Sequence, residues 1–476
     1  MTINSELSIL IIGRILQILI ALISIRITTS LLDAGEIGNL YLILTITGFF
    51  GLLMINPIGQ YINRKTHQWY EEKNLLNVFY IYNYYIILLA ILSFFVIHFL
   101  YSFGIGKNIE LVYLSSFVAL FIYMNSWNQT IIPMINMLGN RVSFVILTVV
   151  SQIFFLLFAY IFINIFEPKG IFWFLGNIVG FGLIAIVSFI YFIKKIQHDF
   201  SLSFAHQMIT YHNIKNIIRF ALPLSVGVLF LWMQSQSYGI IIDKYIGSEF
   251  LGFFGVGMAV ALAISSAFES IIMQYLYPQM YKNMNDTSRF SIIMSSILNL
   301  IIPIYFLLAI FVSIFAIYLM TILVDVKYYD SYIYTIFGIW IAFFKMSSNM
   351  LSNIAHAKLR TKELIYPYAA GGVLAVIGVI LAANMDEYKY YIPLALLIAG
   401  MFSFIVMYIK MNKLVEIKFE LKNIYFVVVY SIPFTSSLYF YNYSYSIVYS
   451  TIIVGIFGMY FLYLLYLLIK RGGKIE

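Results

Sequence analysis

The chain has 476 residues, of which 62% are hydrophobic and 10% charged, with a formal net charge of +8 and a mean hydropathy of +0.93. So little polar surface cannot coat a soluble globule, and the sequence reads as an integral membrane protein. Cysteine is absent, which excludes disulfides, thiolate catalysis and cysteine-ligated metals.

The opening MTINSELS lacks a basic n-region. The apolar run behind it is longer than a signal h-region and has no small-x-small cleavage site, so it is expected to stay as the first span. Apolar windows of roughly 20 residues, the length a hydrocarbon core demands, recur along the chain. Fourteen are expected, at 8–31, 38–62, 76–100, 110–132, 143–166, 171–193, 216–238, 250–276, 290–320, 331–354, 365–384, 391–410, 423–440 and 446–469. The longest connection, Lys194 to Lys215, holds about twenty residues and leaves no room for a soluble catalytic domain.

With an internal N-terminus, 20 of the 28 Lys and Arg fall on the cytoplasmic side, 5 fall outside, and Arg14, Arg26 and Lys345 lie within spans. This bias predicts cytoplasmic termini and an even number of spans. It also places the +8 against an anionic inner leaflet, so nucleic acid is not an expected partner. Tyr-rich stretches near Tyr328 and Tyr439 sit at predicted outer helix ends. They read as an interfacial aromatic belt, with sugar stacking as the alternative.

The polar content of the spans carries the functional argument, because each buried polar group must find a partner where water is scarce. Span 1 holds Arg14, Gln17 and Thr28 within roughly 60° on an ideal wheel, with Arg26 about 120° from Arg14. Two readings are open for each arginine: facing a cavity, or snorkelling to an interface. Span 4 carries Asn125, Ser126, Asn128, Gln129 and Thr130, and span 7 carries Gln234, Ser235, Gln236 and Ser237; interhelical hydrogen bonding is the plain account of both. Span 8 groups Ser266, Glu269 and Ser270, with Gln274 a turn later, and span 10 sets Lys345 beside Ser348 and Asn349. Glu269 and Lys345 lie too deep for simple snorkelling and read as functional or ion-paired. Pro223, with Gly227, is expected to break the early part of span 7 and supply a hinge.

An internal repeat is also legible. LLDAGEIGNLYLI joins the first two spans and KYIGSEFLGFFGV the seventh and eighth, so that Gly38 corresponds to Gly252. Both halves start inside, which makes the repeat parallel, with a pseudo-two-fold axis along the membrane normal. A cavity lined by spans 1, 2, 7 and 8 is the expected consequence. The Gly-rich GFFGVG from Gly252 to Gly257 reads as close helix packing and not as a phosphate loop. The sequence has no HExxH, Walker-type or acidic metal motif; no cofactor or metal is expected, and His98 reads as interfacial.

Three cationic side chains against Glu269 predict an anionic substrate, since Arg presents planar donors suited to phosphate oxygens at any pH. An organic-cation exporter would be expected to show the opposite sign. A membrane enzyme such as a sugar polymerase or ligase would be expected to carry a large outer loop, and a passive scaffold would not need deep charges.

On the opening GRILQILIALISIRITTSLLDAGEIGNLY, the repeated GSEFLGFF and the RFALPLSVG that opens the second half, the chain resembles the multidrug/oligosaccharidyl-lipid/polysaccharide exporter superfamily. Within it, the chain looks like an O-antigen-type flippase of lipid-linked oligosaccharides. The resemblance implies an all-α integral membrane protein of about 14 helices, two parallel-repeat six-helix bundles in a V shape plus two C-terminal helices. The expected division is an N-terminal bundle over 1–195, a cytoplasmic linker over 196–214, a C-terminal bundle over 215–412 and two further helices over 413–476. It further implies a non-enzymatic flippase of the bacterial inner membrane, moving undecaprenyl-pyrophosphate-linked repeat units by alternating access with ion-gradient coupling. Its partners would be that lipid-linked substrate, membrane lipids, and polysaccharide polymerase and chain-length machinery. Arg14, Arg26, Gln17 and Lys345 are the expected substrate contacts, Glu269 the ion-coupling residue and Pro223 the hinge. Many such flippases have twelve helices and the peptidoglycan-precursor flippases fourteen, so that lipid, or a multidrug exporter of the same superfamily, is the alternative.

Overall fold

The computed structural model describes residues 3–196, 198–282 and 287–471, and among these no strand occurs. Eighteen α-helices follow in order: α1 (Ile3–Leu31), α2 (Ala34–Phe50), α3 (Asn56–Glu71), α4 (Leu75–Ser102), α5 (Leu111–Met137), α6 (Arg141–Ile165), α7 (Gly170–Ile196), α8 (Leu202–Met208), α9 (Tyr211–Ser235), α10 (Tyr238–Tyr245), α11 (Ser248–Lys282), α12 (Thr287–Ile314), α13 (Ala316–Leu323), α14 (Tyr332–Ala357), α15 (Ile365–Ala383), α16 (Tyr388–Leu414), α17 (Lys422–Tyr430) and α18 (Ile447–Arg471).

Twelve stretches among the described residues are long and apolar enough to cross a membrane. The expected windows 110–132 and 331–354 fall on α5 and α14, of 27 and 26 residues. At about 1.5 Å per residue each exceeds a 30 Å core. Their polar runs, Asn125 to Thr130 and Lys345 to Asn349, dilute the apolar signal; with these two the twelve become the fourteen expected.

Two units make up the chain. The first comprises Met1–Ser24, Leu32–Trp232 and Gly239–Gly252. In it, Asp33 caps α2 by accepting from the Glu36 N–H at 2.9 Å. The Glu36 carboxylate in turn accepts from Gly170 N–H, at the start of α7, at 2.7 Å, where a negative charge also meets the positive end of the helix dipole. A π-helical turn, Gly51–Ile55, joins α2 to α3 in one long span. Pro57 has no N–H to offer the Leu53 carbonyl four residues earlier; the Ser225 hydroxyl of α9 donates to that carbonyl at 2.8 Å. Gly176 and Gly180 let α7 lie against Ala159 and Phe155 of α6 so closely that a Cβ on either would enter α6 backbone.

The second unit comprises Ile25–Leu31, Met233–Tyr238 and Phe253–Glu476. Its core joins α12, α13 and α14 to the C-terminal helices through Tyr305, Phe315, Tyr318 and Phe434, all fully buried. Each buried hydroxyl in hydrocarbon needs an acceptor; Tyr318 donates to the Ser437 carbonyl at 2.8 Å and Thr321 to the Ser444 carbonyl at 2.7 Å. The expected thirteenth span is only partly α-helical. After α17 the chain passes into a 3-10 helix, Ile432–Tyr443, because Pro433 cannot supply an interior N–H and the Thr435 and Ser436 hydroxyls bond locally to the Ile432 and Pro433 carbonyls. The tighter winding rises about 2.0 Å per residue and so covers more depth with fewer residues.

The break expected at Pro223 is also placed differently. Helix α9 is continuous through Pro223, and the interruption falls at Gln236 and Ser237, between α9 and α10. One lost N–H is tolerated in a long helix. At the actual break the Ser237 hydroxyl bonds back to the Met233 carbonyl, offering the backbone an alternative to continued helix.

Candidate functional site

In the first unit, α1 presents a broad apolar face at the surface, with Ile11, Ile12, Ile15, Leu16 and Leu19 exposed. Gly13 is buried against Val145 of α6, which turns the polar stripe away from that face. Arg14 Nη1 donates to Gln17 Oε1 at 3.1 Å, as the i, i+3 spacing requires. Of the stripe read from the sequence, Arg14 and Gln17 form a hydrogen-bonded pair.

In the second unit, the C-terminal end of α1 docks on the C-terminus of α13. Arg26 Nη1 donates to the Thr321 carbonyl at 3.3 Å, one of the last four carbonyls of that helix, which have no intrahelical partner. Buried Thr29 accepts from Asp325 N–H at 3.0 Å just beyond the same end. A cation at a helix C-terminus is favoured by the dipole as well as by the hydrogen bond. Arg26 is thus held by backbone, with its other N–H groups uncommitted to that carbonyl.

The deepest charges of this unit come together. Lys345 lies about halfway along α14, roughly 20 Å from either end, and feels the charge of Glu269 on α11. Asn349, one turn beyond Lys345, donates to Glu269 Oε1 at 3.0 Å. Ser352, a further turn on, donates to the Asn349 carbonyl at 2.7 Å and bonds the Tyr368 hydroxyl of α15. The hydrogen-bonded set is Glu269, Asn349 and Ser352, with Lys345 within electrostatic reach of Glu269. Lys345, Asn349 and Ser352 share a face at i, i+4 and i+7 and could have been grouped from the sequence; Tyr368, on a different helix, could not. The side chain of Gln274 lies outside the described residues.

The polar run of α5 is only partly satisfied: Ser126 donates to the Ile122 carbonyl at 2.5 Å, whereas Asn128 Oδ1 is buried without a hydrogen-bond partner. Trp127 donates to Asn83 Oδ1 at 3.0 Å and Thr130 to the Ser126 carbonyl at 2.7 Å. His98 Nδ1 lies 2.9 Å from the Phe94 carbonyl. In the glycine-rich stretch, Gly252 and Gly257 abut the backbone of Ala34 and Ser331. Gly38 abuts Ser248 in the same way, so the two equivalent positions of the repeat make reciprocal contacts: Gly38 on Ser248, Gly252 on Ala34.

Residues 5–284 match the sequence model of the family described as polysaccharide biosynthesis protein. The chain belongs to this family. As a polysaccharide biosynthesis protein it carries its match across the first unit from residue 5 onward and through α11, including Arg14, Gln17, Arg26, Pro223 and Glu269. No curated protein matches it in sequence. Among solved structures it is similar to the lipid II flippase MurJ in an inward closed conformation, at 13% identity over 98% of each chain with a TM-score of 0.73. It is also similar to a multidrug resistance MATE family transporter of the MOP superfamily in an inward-facing conformation, at 12% identity over 84% of this chain and 95% of the other, TM-score 0.58. A MOP superfamily transporter from Pyrococcus furiosus matches at 13% identity over 85% and 94%, TM-score 0.54. This member of the polysaccharide biosynthesis family is a multi-pass membrane protein with the MOP superfamily fold.

Proposed function

We propose that the chain is a flippase, not an enzyme, that moves undecaprenyl-pyrophosphate-linked oligosaccharide repeat units from the cytoplasmic to the periplasmic leaflet of the bacterial inner membrane. The reading supplies surface polysaccharide synthesis, whether O-antigen, capsule or exopolysaccharide, and works by alternating access. What supports it is the intramembrane charge set in a chain of the polysaccharide biosynthesis family: Arg14 paired with Gln17, and Lys345 set against Glu269 at mid-depth.

A pyrophosphate entering a low-dielectric path needs cations already in place, because unpaired charge there costs several kcal/mol. Arg14 and Gln17 offer donors to its oxygens, and Arg26 a second guanidinium toward the outer end. Lys345 has two possible counter-charges, Glu269 and the substrate. When the anion takes Lys345, Glu269 loses its compensation and binds a proton or cation; when the anion leaves, Lys345 returns. That competition couples substrate movement to an ion gradient worth about 2.3 kcal/mol per charge at 100 mV. In this reading the bundles over 1–195 and 215–412 move about the 196–214 linker, the helices over 413–476 lie outside the repeat, both termini are cytoplasmic, and Pro223 gives α9 the compliance of a missing hydrogen bond. Polymerase and chain-length proteins would receive the product.

A peptidoglycan-precursor substrate is the second reading, favoured by the likeness in fold to MurJ over 98% of each chain; an organic-cation substrate has no counterpart in a net-positive charge set. Complementation decides between the first two, in a strain lacking its own oligosaccharide flippase and in one depleted of its peptidoglycan-precursor flippase. Arg14→Ala should abolish polysaccharide export and Arg14→Lys retain part of it. Normal export by a folded, membrane-resident Arg14→Ala protein sinks the assigned role of Arg14. In vesicles, Glu269→Gln should lose the response to a pH gradient; an unchanged response removes Glu269 from coupling.

A further inference from the structure

The segment after α7, His198 to Tyr211, reads HDFSLSFAHQMITY, apolar and aromatic with a single charge. It is pinned to the first unit: Ser201 N–H donates to Asn77 Oδ1 of α4 at 3.0 Å, Ser201 caps α8 by accepting from Phe204 N–H, and Ala205 is fully buried. Phe200, Leu202, Phe204 and Ile209 remain exposed, the pattern of a segment lying in the membrane interface.

Between this segment and the helices lies a cavity of about 450 Å³, lined chiefly by Phe79, Tyr80, Trp127, Phe189, His198 and Phe200. That volume is in the range of small-ligand pockets. Asn83, also in the wall, takes the Trp127 indole N–H, so the lining is aromatic with its one indole donor satisfied. The mouth differs. His198 Nδ1 is buried without a hydrogen-bond partner, and burial, with Lys73 adding to it, holds that imidazole below its ordinary pKa. Lys194 and Lys195 occupy the last turn of α7, directly after Ile193 of the cavity wall. An apolar body whose mouth carries three lysines against the one carboxylate of Asp199, which also acts on His198, is net cationic; at the helix ends carrying the basic loops, it fits an amphiphile with an anionic head. A neutral or zwitterionic lipid would leave the three lysines unanswered.

We propose that this cavity is a phospholipid site: it holds one acyl chain of an anionic phospholipid of the cytoplasmic leaflet, with the phosphate at the mouth among Lys73, Lys194, Lys195 and His198. The site is separate from the charges assigned to transport, and its occupant is resident, not carried.

The full-length protein in phosphatidylcholine nanodiscs tests this with graded chain-brominated phosphatidylglycerol, since bromine quenches an indole it touches. The Trp127 signal is the difference between wild type and Trp127→Phe. Saturable quenching is expected, with preference over brominated phosphatidylcholine falling about fivefold for each of Lys73→Gln, Lys194→Gln and Lys195→Gln. Equal, linear quenching by the two lipids overturns the proposal. So does displacement by undecaprenyl phosphate at a lower mole fraction than phosphatidylglycerol, which would assign the cavity to a polyprenyl chain. Native mass spectrometry of the wild type, which needs no cavity variant, should retain one phosphatidylglycerol that the triple lysine variant loses; none retained by the wild type, or equal retention by the two proteins, overturns the proposal. Both readouts measure binding, so they stand or fall independently of transport.

Discussion

Methyl groups added at Gly38 and Gly252 test the reciprocal crossing of α2 and α11. A Cβ on Gly38 would lie 2.6 Å from the Ser248 carbonyl carbon, and one on Gly252 2.7 Å from that of Ala34, with the carbonyl oxygens nearer still. Ordinary contact begins near 3.4 Å, so the backbones must part by at least 0.8 Å (3.4 − 2.6) or 0.7 Å (3.4 − 2.7). The obstacles are backbone, and no side chain can rotate out of the way. Overpacking of this kind costs about 1–3 kcal/mol, offset by up to about 1 kcal/mol of helix propensity gained on replacing Gly by Ala. Each of Gly38→Ala and Gly252→Ala should therefore destabilise by about 1–2 kcal/mol. One separation relieves both clashes, so the double variant should cost little more than either single, a coupling of about 1–2 kcal/mol. Unfolding of the full-length proteins in mixed dodecyl sulfate and maltoside micelles reads all three. Singles at or above wild-type stability, or a double variant additive within about 0.5 kcal/mol, refute the reciprocal contact.

Arg26→Ala should destabilise by about 1–3 kcal/mol by stranding the Thr321 carbonyl, with Arg26→Lys recovering part; a neutral Ala variant in the same micelle titration would show that the cap contributes nothing. Lys345 without its counter-charge should make Glu269→Gln destabilising by roughly 3 kcal/mol, and adding Lys345→Met should restore most of that loss; equal stability of the single and double variants contradicts the pairing. Asp243, which accepts from Gly106 N–H at 2.8 Å, has its carboxyl pushed above the ordinary value of 3.8 by burial, with that hydrogen bond pulling it part of the way back. A carboxyl that holds its proton more tightly when folded destabilises the fold as pH rises through the window from 3.8 to the raised value, and the loss disappears at lower pH. Asp243→Asn keeps an acceptor for Gly106 and should flatten stability across that window; an unchanged pH slope places the titration elsewhere.

Helix existence was legible because a 30 Å apolar core imposes its length on every span. Even α5 and α14, whose Asn, Ser and Lys weaken the apolar signal, overlap expected windows and run a few residues past them. The pairing of Arg14 with Gln17 was legible for the same local reason, since three residues along a helix is one turn. The equivalence of Gly38 and Gly252 came from matching short loops, and each proves to need the absence of a side chain. Contacts that depend on tertiary packing were not legible. Nothing near Arg26 in sequence points to Thr321, whose contribution is a backbone carbonyl, and nothing near Lys345 points to Tyr368. Pro223 misled for a local reason: a proline signals a missing bond, but the helix ends where Ser237 gives the backbone a competing partner. The 3-10 winding after Ser431 was hidden because the apolar content of a span says little about how tightly it winds.

The crossing of α2 and α11 has the form of an isologous interface, in which one surface meets its own equivalent: Ala34 meets Gly252, as Ser248 meets Gly38. In a homodimer that arrangement arises from symmetry alone and closes without leaving a free end. Here the two copies of the motif sit on one chain, 214 residues apart (252 − 38). A half-length ancestor carrying the small-x-x-x-small turn once would already have possessed the complementary surface needed to pair with itself, so duplication and fusion could preserve a working contact and free each copy to diverge. The present chain keeps the self-matching pair of turns while its deep charges differ between halves, Arg14 in one and Glu269 with Lys345 in the other.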